Sequence, residues 1–166
     1  MGPAFNPQEW STFFSAEAGA SAALTGLIFV AISINLSKIL KMRQLVARAA
    51  KALFLLTGIL LASTVCMAPG QPIWILGCEL VLLGALVWIL TTVTQHRANH
   101  NNPYVKMQQR VMQVVLAQFS ALPLIAGGTS LILGFGGGLY WLLAGTIFSF
   151  IAALIDSWVL LIEILR

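Results

Sequence analysis

From Ala52 to His96 the chain carries one charged residue, Glu79, and from Val111 to Ile162 only Asp156. Written as single helices at ~1.5 Å per residue, these runs would each be about twice as long as a ~30 Å hydrocarbon core. Each must therefore turn back on itself once. The chain as a whole is 59% hydrophobic and 8% charged, whereas a soluble domain carries about 25% charge. A soluble fold is excluded, and the 166 residues form one transmembrane domain.

The breaks are written in proline and glycine. Pro69-Gly70-Gln71-Pro72 divides the first long run, and Gly134-Phe135-Gly136-Gly137-Gly138 divides the second. With the apolar stretch near the start, this predicts spans at 13–36, 52–68, 73–94, 111–133 and 139–164. The first ten residues contain no Lys or Arg, so the first apolar segment reads as a retained helix and not a signal peptide. Residues 38–48 place apolar side chains at helical spacing among bases, the pattern of an amphipathic helix lying in the interface. Residues 95–109 are polar, with Asn99, Asn101, Asn102 and Pro103, and read as a loop. The expected fold is all-α: an integral membrane bundle of five transmembrane helices with an interfacial amphipathic helix between helices one and two.

Orientation follows from the bases. All nine Lys and Arg fall at 38–51, at 97–110 and at Arg166. Five spans put every one of them on the same side, whereas four spans would strand one patch. The positive-inside rule makes that side cytoplasmic, with the N-terminus outside. Trp10, Phe13, Phe14, Trp74, Tyr140 and Trp141 gather at the expected outer boundary, as an aromatic belt does. Anionic headgroups account for the bases, so the formal charge of +4 does not imply nucleic acid.

The acids mark where chemistry or ion handling could reside inside the bilayer. Glu17 and Glu79 fall roughly 6–9 Å inside the outer ends of spans one and three, where no Lys or Arg can pair with them. They read either as a vestibule that concentrates cations or relays protons, or as neutral acids that fasten helices. Asp156 lies ~12 Å from the cytoplasmic end of span five. Asn35, Gln113 and Gln118 reach similar or shallower depths, and Lys51 can snorkel towards them. This inner group reads as a binding or gating site, or as a buried salt bridge and amide network. Glu163 and Arg166 have the spacing of a surface ion pair.

Other patterns point to packing. Ser15, Gly19, Ala22, Ala23 and Gly26 form a small-residue stripe on span one; Gly19, Ala23 and Gly26 suit close helix approach, within the bundle or between protomers. His96 and His100 share a helical face but lack a third ligand, so no metal site is expected. Cys66 and Cys78 lack CxxC spacing, and the Gly134 to Gly138 run lacks the Lys-Ser/Thr of a phosphate loop. No nucleophile–base or nucleotide-binding pattern is present, so neither an enzyme nor a cofactor is expected.

The stretch from Ala23 to Leu36, ALTGLIFVAISINL, resembles the first helix of small bacterial membrane proteins identified as modulators of FtsH protease. Pro69-Gly70-Gln71 and Gly77-Cys78-Glu79-Leu80 are similar to their later motifs. The resemblance implies a bacterial inner-membrane location and a regulatory membrane-protein partner, and it supplies no catalytic residues. Two functions are therefore expected. One is an oligomeric ion channel or transport protein using Glu17, Glu79, Asp156, Asn35 and Gln118. The other is a non-enzymatic accessory or regulatory subunit of a larger membrane complex such as a membrane protease.

Overall fold

Proline sets the first local structure. Pro3 and Pro7 open two short 3-10 turns, Pro3–Phe5 and Pro7–Trp10, where a missing N–H costs nothing. The computed structural model describes residues 2–100 and 107–165. Among the described residues six α-helices follow the turns: α1 (Ser11–Ile34), α2 (Leu36–Ile39), α3 (Arg43–Cys66), α4 (Ile73–His100), α5 (Met107–Leu133) and α6 (Tyr140–Leu165). No strand occurs among the described residues. Five of the helices are long and apolar enough to cross a membrane.

The turns fall where Pro and Gly predict them. α3 ends at Cys66 and α4 begins at Ile73, and Gly70 supplies the positive φ, +69°, that the reversal needs. The basic segment differs from the expected separate helix. Leu36–Ile39 makes a single turn, and from Arg43 onward the chain already belongs to α3. The physical reason is burial: Ile39, Leu45 and Ala49 pack with Leu160 of α6. Ile39, Leu45 and Ala49 thus meet protein while Leu40, Met42 and Val46 stay exposed, and the helix from Arg43 continues into the bundle.

Helices α3, α4, α5 and α6 form a closed ring in which each packs on the next and α6 returns to α3. α1 packs on α3 from outside the ring. Glycines bring the backbones close between α4 and α5. A Cβ on Gly77 would lie 2.8 Å from the Gly128 carbonyl oxygen, and one on Gly128 2.6 Å from the Gly77 oxygen. On the other side of α5, Pro123 sits inside the helix and cannot donate a backbone hydrogen bond. Gly145 of α6 leaves room for the ring of that proline, and the Ser149 hydroxyl donates to the Ser120 carbonyl at 3.4 Å.

Leucine fills the ring. Leu76, Leu80, Leu124 and Leu142 pack with Phe14 and Cys66 towards one end, and Leu55, Leu56, Ile59 and Ala121 pack with Val87 at mid-height. The buried polar residues include Ser21, Ser63, Thr91, Ser120 and Thr146, while Leu27, Leu82, Ile34 and Trp158 are exposed. A surface more apolar than parts of the interior is what a lipid-facing protein requires.

Candidate functional site

The acids occupy two ends of the bundle with opposite surroundings. At the end without Lys or Arg, Glu17 lies ~9 Å along α1 and points inwards, leaving the residue 8% exposed. Its carboxyl lies beside Thr146 of α6, and Oε2 has no hydrogen-bond partner. Cys66, at the end of α3, is buried within electrostatic range of both Glu17 and Glu79. Glu79 is half-buried and accepts a hydrogen bond from the Gln71 amide of the Pro-Gly turn.

Two neighbours of this end escape a reading confined to charges. Ser63, one turn before Cys66 on α3, is 1% exposed, and its hydroxyl has no partner. That is unusual for a helical serine, which generally donates back to its own helix, as Ser21 does to the Glu17 carbonyl at 2.7 Å. Gln71 Oε1 is likewise buried without a partner. The signal for Ser63 and Thr146 was depth: each falls about as far from its turn as Glu17 does from the start of α1. Of the two, only Thr146 lies beside a carboxylate, that of Glu17.

At the opposite end the inner acid is neutralised. Asp156 Oδ1 accepts from Arg48 Nη1 at 3.2 Å, and Lys51 Nζ lies 3.1 Å from Oδ2. The side chain of Asp156 is 4% exposed, that of Lys51 7% and that of Arg48 25%. The Lys51 contact is a charge contact outside hydrogen-bond alignment, since Oδ2 forms no hydrogen bond. The salt-bridge alternative is therefore the one observed, with Arg48 as an added partner.

The amides expected beside Asp156 have partners elsewhere. Asn35 ends α1, and its side-chain amide donates to the Ala31 carbonyl at 3.0 Å. Gln118 accepts from the Trp88 indole at 2.6 Å, which ties α5 to α4. The side chains of Gln113 and His100, and the Glu163–Arg166 pair, lie outside the described residues. Among the described residues no three His, Cys, Asp or Glu side chains converge on a metal-sized site. Both cysteines are free, Cys66 buried and Cys78 exposed.

The stripe on α1 faces away from its own bundle. Gly19, Ala23 and Gly26 are exposed, and a Cβ added at Gly19 or Gly26 would meet nothing within 4 Å. Only 11% of the apolar stretch of α1 is buried, against 50% in α3. The close approaches inside the bundle belong to Gly77, Gly84 and Gly128 instead.

A latch closes the base-free end. The Leu139 amide donates to the Ala4 carbonyl at 2.9 Å, and the Trp10 ring meets Tyr140 edge-on at 4.9 Å. The Ser130 hydroxyl holds the glycine turn by accepting from the Gly138 amide at 2.8 Å and donating to the Phe135 carbonyl. Phe14, expected in an aromatic belt, is buried in the core beside Trp10 and Phe13.

No protein family matches this chain, and neither a curated protein nor a solved structure does so.

Proposed function

We propose that the protein is an ion-handling protein of the bacterial inner membrane, crossing it five times with its N-terminus outside and its C-terminus in the cytoplasm. In this reading α2, with Lys38, and the turn after it, with Lys41, lie in the inner interface. The observation that carries the reading is Glu17, a buried carboxyl with an unpartnered oxygen at the end that holds no Lys or Arg. An intramembrane acid without a base is a group that takes up a proton or a cation. Glu79 and Gln71 shape the approach to it, and Asp156 serves as the counter-charge of Arg48 and Lys51. Leucine fills the ring of α3 to α6, so the route runs along the inward face of α1, where Glu17 meets α6, in a homo-oligomer. The test is flux through proteoliposomes under a membrane potential. Wild type conducts, and Glu17→Gln reduces the rate at least tenfold with the fold intact. Equal silence of both proteins ends the ion-handling reading.

A second reading is favoured by α1 itself. A helix so thinly covered, with an open glycine face, suits docking against another membrane protein. With the resemblance to modulators of FtsH protease, this supports a non-enzymatic accessory subunit of a membrane complex. Stoichiometric co-purification in mild detergent, lost in Gly26→Leu, supports it; a solitary oligomer on native gels counts against it.

A further inference from the structure

The basic end of the bundle has more donors than acceptors. Arg48 and Lys51 share one carboxylate, Asp156, so the three groups sum to one positive charge. Among the described residues no second carboxylate pairs with either base. The Lys51 ammonium lies 3.1 Å from Oδ2 but outside hydrogen-bond alignment with it. Gln95 of α4 adds an independent sign: it is 9% exposed, and its Nε2 has no acceptor. Thr92, one turn earlier on the same face, has a buried hydroxyl that is also without a partner.

These groups lie at one level. Gly58 of α3 meets Val87 of α4, and the two helices run antiparallel. From that contact Lys51 lies ~10 Å and Gln95 ~12 Å towards the basic end. A ~30 Å hydrocarbon layer measured along α3 from Cys66 ends near Ala47. Arg48 thus stands at the headgroup boundary, with Lys51, Gln95 and Asp156 ~5 Å beneath it. Buried donors carrying net positive charge at that depth match an anionic phosphate, on whose oxygens several donors converge.

We infer that the α3–α4–α6 junction binds the phosphate of an anionic phospholipid, with Arg48, Lys51 and Gln95 Nε2 as donors. Asp156 holds both bases in place. Inorganic phosphate shares this chemistry, but the level of the site and the partial exposure of Arg48 favour a headgroup arriving from the bilayer.

The test uses the full chain in nanodiscs of phosphatidylcholine with or without phosphatidylglycerol, with retained lipid counted by native mass spectrometry. Wild type retains phosphatidylglycerol in preference to phosphatidylcholine. Gln95→Leu lowers that preference roughly tenfold and Arg48→Met roughly fivefold, while Gln8→Ala, at an exposed glutamine of the opposite end, leaves it unchanged. Displacement of phosphatidylglycerol by millimolar inorganic phosphate supports the same donors with a soluble anion as their ligand. Equal retention of both lipids without a response to phosphate overturns the proposal, as does an undiminished preference in Gln95→Leu. That variant leaves both ion pairs in place, so the test survives if Arg48→Met does not fold.

Discussion

Replacing Asp156 by Asn tests whether this acid is a counter-charge or an ion site. The substitution keeps shape and removes charge, leaving Lys51, with its side chain 7% exposed, as a buried ammonium without a carboxylate. Breaking a buried pair from one side costs about 3–5 kcal/mol, because the surviving charge cannot be rehydrated. Arg48, with its side chain 25% exposed, adds little, about 0–1 kcal/mol. Lys51→Met is expected to cost less, about 1–3 kcal/mol, since Asp156 keeps its hydrogen bond from Arg48. The pair Lys51→Met with Asp156→Leu removes both buried charges and should return to within about 1 kcal/mol of wild type. Reversible unfolding in mixed micelles, titrated with SDS and followed by tryptophan fluorescence, reads all three. A loss below about 1 kcal/mol in Asp156→Asn would refute the counter-charge role. So would a double variant as unstable as the single one. An Asp156→Asn protein of normal stability that has lost flux would return this acid to the ion pathway.

Gly128→Ala places a methyl group against the Gly77 carbonyl at the α4–α5 crossing; the same unfolding assay should show a loss of about 1–3 kcal/mol. Gly26→Leu enters open space on α1 and should change protomer stability by no more than about 0.5 kcal/mol. Native electrophoresis of that variant should nevertheless show loss of the oligomer, and an unchanged oligomer excludes this face as the interface. Gly138→Ala meets the Ala4 carbonyl and keeps a φ of +52°, a conformation costing about 1–2 kcal/mol for a residue with a side chain. Faster proteolysis of residues 3–10 at unchanged helix content is the expected result, and wild-type resistance would show that the latch is not under that constraint.

The helices were legible because apolar runs long enough to cross a membrane leave a chain few choices. Uncharged runs had to be helical, and Pro69, Gly70 and Pro72 with the later glycine run marked where they turn back. The start of α3 at Arg43 was not legible, because a basic amphipathic segment reads the same whether its apolar face meets lipid or protein. Only Leu160, far along the chain, decides between them. The Asp156–Lys51 pairing could be reached from depth alone. Arg48 as a second partner depends on which face of α3 meets α6, a rotation that a nearly uniform apolar helix does not encode. The small residues on α1 were visible as a stripe, yet small residues look alike whether they are covered by their own bundle or left open. Gly77 and Gly128, which do hold helices together, were not singled out because close approach depends on the partner backbone.

The latch between Ala4 and Leu139 has a consequence for assembly. Residues separated by most of the chain seal one end of the bundle, and the donating amide, that of Leu139, directly precedes α6. During synthesis α1 emerges early and finds its packing partner in α3, but its leading turn stays unfastened until the last helix is in place. Closure of that end therefore reports that α6 has joined the bundle, and a truncation before the glycine turn should leave Trp10 without the Tyr140 ring it packs against.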